Sequence, residues 1–180
     1  MTSPKNSNQS FFISLLSFVP ILAFIFYARI KQLLTSCSVA WQEPFYIGAL
    51  LAIVLTTLQY ISGIILDRLM MGANLFLVAS AFFFLFQINP CLSILGAYKG
   101  PSFIAAVLLV GIYATFFTRY GFIGSTGDPK KIRSASLMLL ASTGIALIWA
   151  FIFNERGLLI SAITPFIVLR MVSEHLKNRL

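Results

Sequence analysis

Six apolar runs, with charge only toward their ends, leave this chain very few ways to fold. They lie at 11–27 (or on to 34), 45–66, 73–95, 103–117 (or on to 123), 135–153 and 158–172. A helix crossing the hydrocarbon of a bilayer needs roughly 20 mostly apolar residues, within a range of about 17–25. The runs approach that length, and the last is short and ends in a charged, amphipathic tail. In lipid every backbone group must be bonded internally, which leaves helices or a closed barrel. The alternation of a barrel strand is absent. The expected fold is all-α: an integral membrane bundle of about six transmembrane helices, with five plus a re-entrant or interfacial hairpin as the other arrangement. The expected organisation is a polar tail at 1–10, one transmembrane domain at 11–172 and a basic tail at 173–180. Charged residues make up 10% of the chain, against about 25% in soluble domains. That balance excludes a soluble enzyme, a disordered tail and an ordinary DNA-binding domain, so no nucleic-acid partner is expected.

Positive charge orients such a bundle. On six spans, one side receives Lys5, Arg68, Arg119, Lys130, Lys131, Arg133, Arg170, Lys177 and Arg179, and the other Arg29, Lys31, Lys99 and Arg156. The excess predicts a bacterial cytoplasmic-membrane protein with both termini in the cytoplasm. The string Leu34-Thr35-Ser36-Cys37 has the look of a lipoprotein cleavage box, but Arg29 and Lys31 precede it where such signals carry no charge. The first run also exceeds the ~7–15 residues of a secretory core, so it is read as a span. Cys37 and Cys91, the only cysteines, form no paired motif and read as small apolar residues.

The acids carry the strongest functional signal. Glu43, Asp67, Asp128, Glu155 and Glu174 all fall at run ends or in loops. Mid-membrane carboxylates mark proton-coupled pumps and intramembrane aspartyl proteases, and here the middle holds none. His175 is the sole histidine, so one chain builds neither a multi-histidine metal site nor a histidine base. No catalytic residue, metal or cofactor is expected.

The richest polar stretch runs from Arg119 through Gly121, Gly124, Gly127 and Asp128 to Lys130, Lys131 and Arg133. Glycines that turn the backbone among cations suit a phosphate or anionic-headgroup cradle. A cytoplasmic turn whose cations touch anionic lipid is the simpler reading. The stretch lacks P-loop spacing. Arg119, nearest the apolar run, is expected to pair with Asp67 or with lipid phosphate. Gln59, Gln87, Asn89 and Thr164 lie within runs, where they line a polar cavity or bond helices to one another. Pro20, Pro90 and Pro165 are expected to kink their helices. Gly48 with Ala52, and Gly111 with Thr115, offer small faces for close packing. Asp67, Arg68, Arg29 and Lys31 read as interfacial anchors. Trp41, Tyr46, Tyr98, Tyr120 and Phe122 suit an aromatic belt, and Tyr113 and Trp149 suit interior packing.

Two short echoes hint at duplication: Phe26-Tyr27-Ala28-Arg29 with Phe117-Thr118-Arg119, and Ile88-Asn89-Pro90 with Ile163-Thr164-Pro165. Their offsets differ, so a transporter-like inverted repeat is only outlined.

Phe18-Val19-Pro20-Ile21-Leu22-Ala23-Phe24 followed by Tyr27, and Trp149-Ala150-Phe151 with Asn154 and a last span through Phe166, resemble the first span and closing hairpin of the intracellular septation protein A (YciB) group of small bacterial membrane proteins. The chain has fewer tryptophans in that hairpin and a glycine-rich fourth loop. The resemblance implies a role in envelope upkeep or cell division through contacts with other membrane proteins, and no catalytic residue. Three classes follow. The first is a non-enzymatic protein acting on partners or lipids, with self-association open. The second is a small-solute transporter or channel lined by Gln59, Gln87 and Asn89. The third is a lipid-modifying enzyme using the basic loop.

Overall fold

The computed structural model describes residues 16–34, 42–62 and 67–180. The tail at 1–10 with Lys5, the Cys37 box, Trp41 and the side chain of Arg29 lie outside the described residues. The chain is all-helical: α1 Val19–Leu34, α2 Gln42–Ile61, α3 Arg68–Leu85, α4 Asn89–Ala97, α5 Lys99–Phe117, α6 Pro129–Ile152 and α7 Leu159–Lys177. Five of these, α2, α3, α5, α6 and α7, are long and apolar enough to span a bilayer, and α1 contributes a shorter apolar stretch, Val19–Ala28. The protein is a multi-pass, all-helical membrane protein. The last run, expected to be the doubtful span, is full length because its charged tail continues the helix.

Neighbouring helices run antiparallel, so the loops alternate between two ends of the bundle. The starts of α1, α3 and α6 share one end with the finish of α7. Here stand most of the cations, and we call it the basic end. The α3–α5 connection and the α6–α7 turn lie at the opposite end, where Asn154 Nδ2 donates to the Ala97 carbonyl at 2.7 Å.

The expected third span, 73–95, is instead two helices. Phe86 closes α3, Gln87 turns back at φ 52°, and Ile88 N–H donates to the Phe83 carbonyl at 3.0 Å while Gln87 N–H donates to Phe84 at 3.4 Å. That pair of bonds satisfies carbonyls a helix end otherwise leaves open. Pro90 then opens α4. Proline suits a first turn, where its missing N–H is no loss. Pro20, Pro44, Pro101 and Pro129 sit likewise near the starts of α1, α2, α5 and α6. Pro90 therefore begins a helix and does not kink one, whereas Pro20 follows a turn at Ser17 and Phe18 that comes directly after helical Leu16. Pro165 differs: the turn before it, Leu159–Ile163, is widened to a π-helix within α7, and Thr164 Oγ1 donates to the Leu159 carbonyl at 3.0 Å.

Gln87 occupies a left-handed conformation that costs an L-residue roughly 1–2 kcal/mol. Gln87→Gly is therefore expected to raise stability by several tenths of a kcal/mol, and Gln87→Val to lower it by about 1 kcal/mol. Thermal melts of the detergent-solubilised protein separate the two; identical melts would mean that the turn is not formed this way.

Small residues face inward at the close crossings of the bundle, beside large core side chains such as Leu69, Ile104 and Leu139. Along α6, Ala135, Ser136, Thr143, Ala146 and Ala150 are buried, while Met138, Ile145, Ile148 and Ile152 are exposed. Lipid is as apolar as leucine, so helices gain by approaching closely and not by hiding hydrophobic side chains. Gly72 shows the limit: a Cβ there would lie 2.5 Å from Val107 Cα, across the α3–α5 crossing. Gly48 likewise meets Phe24 and Leu77. Gly111, expected to serve a helix face, instead receives the ring of Phe122 from the loop after α5.

A row of phenylalanines joins five helices. Phe24 of α1 meets Phe45 of α2 with centroids 4.7 Å apart, Phe45 meets Phe76 of α3 at 5.9 Å, Phe76 meets Phe103 of α5 at 5.3 Å, and Phe103 meets Phe166 of α7 at 5.2 Å. The edge-to-face and tilted geometries are those aromatic quadrupoles favour.

Candidate functional site

The basic end gathers the loop after α5, the start of α3 and the finish of α7. The loop forms because glycines take at no steric cost φ values that other residues rarely adopt, 59° at Gly121 and 68° at Gly124. Gly121 is required twice, since a Cβ there would lie 2.2 Å from Ser136 Oγ. These turns drive Phe122 and Ile123 into the bundle, each 1% exposed. Phe122 is therefore a plug over Gly111 and not a member of an aromatic belt.

Three of the loop's N–H groups are spent locally. Gly121 N–H donates to the Thr118 carbonyl at 3.3 Å, Gly124 N–H to Tyr120 at 3.1 Å, and Ile123 N–H to Ser136 Oγ at 3.3 Å. Asp128 caps α6 by accepting from Lys130 N–H at 3.0 Å. These backbone groups are held by internal bonds. The cations are a different matter, for Arg119, Lys130, Lys131 and Arg133 are all exposed.

Asp67 does not pair with Arg119. It pairs with Arg170 of α7, lies 3.8 Å from Lys177 Nζ, and accepts from Leu69 N–H at 3.0 Å as the cap of α3. Glu174 completes the network, 3.2 Å from Arg170 Nη2 and 3.3 Å from Lys177 Nζ. Arg170 also lies over the Phe18 ring, 5.5 Å from its centroid. The special arginine at this end is Arg170, brought to Asp67 by the antiparallel return of the last helix. No spacing in the sequence signals that meeting. Arg68, beside it, is half-buried, with Nη1 3.1 Å from Met71 Sδ.

The intramembrane polar residues do not converge. Gln59 is buried near the basic end and donates through Nε2 to Ser17 Oγ at 2.9 Å, bonding α2 to the chain entering α1. Gln87 and Asn89 are exposed at the opposite end, in and after the α3–α4 turn, and Thr164 bonds within α7. Asn74, unremarked in the sequence, is the second interhelical polar bridge, donating to Thr56 Oγ1 at 3.0 Å. A polar residue flanked by Gly72 and Ala73 was its only signal. Thr115 and Thr143 return their hydroxyls to carbonyls four residues back, at 2.7 and 2.8 Å.

At the opposite end Glu43 accepts from Tyr27 Oη at 2.9 Å and pairs with Lys31. Trp149 Nε1 donates to the Ile160 carbonyl at 3.1 Å, and its ring, 41% exposed, packs on Phe153. Tyr113, expected inside, is 62% exposed on the outer face and stacks on Phe117. Cys91 is a free, half-buried thiol on α4. Among the described residues no three of His, Cys, Asp and Glu lie together in a way that could hold a metal ion. No protein-family model, curated protein or solved structure matches the chain in comparison.

Proposed function

We propose that the chain is a non-enzymatic protein of the bacterial cytoplasmic membrane, with both termini in the cytoplasm, acting through its basic end on anionic lipids and neighbouring membrane proteins. Envelope maintenance or septation is the process that its resemblance to the intracellular septation protein A group implies. One observation carries the reading. Lys130, Lys131 and Arg133 crowd the first turns of α6, all exposed, with Asp128 as the single acid at that terminus. A helix N-terminus is the positive end of its dipole, so each cation there is unfavourable by about 0.3–1 kcal/mol. An anionic membrane surface offsets this at about 1 kcal/mol per cation.

The carboxylates support the non-enzymatic part. Glu43, Asp67, Asp128 and Glu174 each hold an ion pair or a helix cap, work that fixes the fold. Transport has less support, because Gln59 stands apart from Gln87 and Asn89, at the other end of the bundle.

The test is chemical crosslinking in native membranes, gentle extraction and mass spectrometry of what stays bound. Wild-type protein should retain envelope-synthesis or division proteins together with anionic lipid. Lys130→Gln/Lys131→Gln/Arg133→Gln should lower that recovery at least tenfold while eluting as wild type does and melting no lower. Recovery of a uniform self-oligomer alone would overturn the partner reading and make solute flux the next assay.

A further inference from the structure

A cavity of about 400 Å³ opens at the end of the bundle away from the basic loop. Its volume is within the ~300–1,000 Å³ of ligand pockets. Four phenylalanines, Phe24, Phe45, Phe76 and Phe84, form its wall, and three of them, Phe24, Phe45 and Phe76, belong to the row that joins the helices. The short helix α4 covers one side with Leu92 and Leu95. Polarity is confined to the edge, where exposed Gln42 and Lys99 stand at the starts of α2 and α5. Lys99 is the only charged side chain among the described lining residues.

We propose that this cavity holds one single-chain anionic amphiphile of the fatty-acid type, its hydrocarbon tail among the phenylalanines and its head at Lys99 and Gln42. The inference rests only on the chain's being a membrane protein, and not on any role in envelope upkeep. Three features select this occupant. Among the described lining residues the wall away from Gln42 and Lys99 has no polar side chain to offer a sugar, base or peptide, and a polar solute would lose its hydration against it without replacement. The polar groups lie together at one pole, which matches a molecule with one polar terminus. The charge at that pole is positive, and Glu43, the nearest acid in sequence to Gln42, is held by Lys31 and Tyr27. α4 suits the part of a movable cover: it has no buried residue, and its entry is the left-handed turn at Gln87.

The probe is palmitic acid carrying a diazirine near its tail end, presented to the full-length protein in phosphatidylcholine nanodiscs and photolysed. Peptide mapping should place adducts on Phe84, Leu92 and Leu95. Unlabelled palmitate should reduce them at least tenfold more effectively than palmityl alcohol, which has the same tail and no charge. Lys99→Gln should abolish that difference between acid and alcohol. Gly96 lines the cavity, and a Cβ there meets nothing within 4 Å; Gly96→Trp should fill the space and remove the adducts without altering elution. Leu92→Trp is the second such variant should the first not fold. Adducts as frequent on outward Leu109 and Ile148 as on the cavity wall would overturn the site. Equal competition by the alcohol would overturn the anionic head, and equal competition by phosphatidylglycerol would overturn the single chain.

Discussion

Gly72→Leu should yield almost no monodisperse protein after extraction, and Gly72→Ala should melt well below wild type. The reason lies in what the new atoms meet. A Cβ at position 72 would lie 2.5 Å from Val107 Cα and 3.1 Å from Val107 Cβ. A crowded side chain can rotate away, but a backbone atom moves only if α5 moves with it. Overpacking in a core costs about 1–3 kcal/mol when side chains can adjust, and leucine at this crossing should exceed that range. The environment sharpens the effect. Water does not drive membrane helices together, so their association depends on van der Waals packing and interhelical bonds. Separating α3 from α5 loses that packing along the crossing and disturbs the α2–α3 bridge from Asn74 to Thr56. Gly144→Ala is the control, because a Cβ there meets nothing within 4 Å. Within α6 it should be neutral or stabilising by up to about 1 kcal/mol. Size-exclusion profiles after stepwise heating measure all three. A Gly72→Ala profile matching wild type would show that α3 and α5 are not this close.

The contrast between Gly72 and Gly144 explains what the sequence discloses and what it hides. Hydrocarbon thickness fixes the length of a span, and the apolar runs therefore located the helices. The faces of those helices were illegible because lipid and protein interior are both apolar. Tyr113 and Phe122 are both aromatics bordering the same apolar run, yet one lies outside and the other plugs the core. Gly72, Ala73, Ala135 and Ala146 face inward, but so do Leu69, Leu77, Ile104 and Leu139, while Gly96 is exposed, so size alone does not mark the inner face. The break at Gln87 was hidden for a local reason. Its left-handed turn normally announces itself with glycine or asparagine, and Pro90 reads equally as a kink or as a beginning. The candidate site divides in the same way. Lys130, Lys131 and Arg133 were visible because charge bias acts through simple proximity to the membrane surface. The partner of Asp67 was not, because Arg170 reaches it only after every intervening helix has been placed.

That pairing should give the largest effect of any charge removal in the chain. Asp67 and Arg170 have side chains only 15% and 18% exposed, which separates them from surface pairs contributing about 0–1 kcal/mol. Removing one member leaves the other under-compensated, Asp67 with Lys177 and Arg170 with Glu174. Arg170→Leu leaves Asp67 with Lys177 alone, at 3.8 Å, and should cost about 3 kcal/mol. Asp67→Asn should cost about as much, because asparagine still caps α3 but no longer offsets Arg170 and Lys177. Asp67→Ala should lose roughly a further 1 kcal/mol with the cap. The decisive variant is the double, Asp67→Asn/Arg170→Leu. It retains the cap and buries no stranded charge, so it should recover most of what either single variant loses. Exposed Arg119→Leu should stay within about 0.5 kcal/mol of wild type. Reversible unfolding in mixed micelles gives the four-way cycle. Simple addition of the two single losses would mean that Asp67 and Arg170 act separately. Strong coupling would make the pair the clasp between the start of α3 and the end of α7. Arg170 also covers the Phe18 ring, so the same clasp would hold the entry to α1, and the first and last helices would close the bundle through one guanidinium.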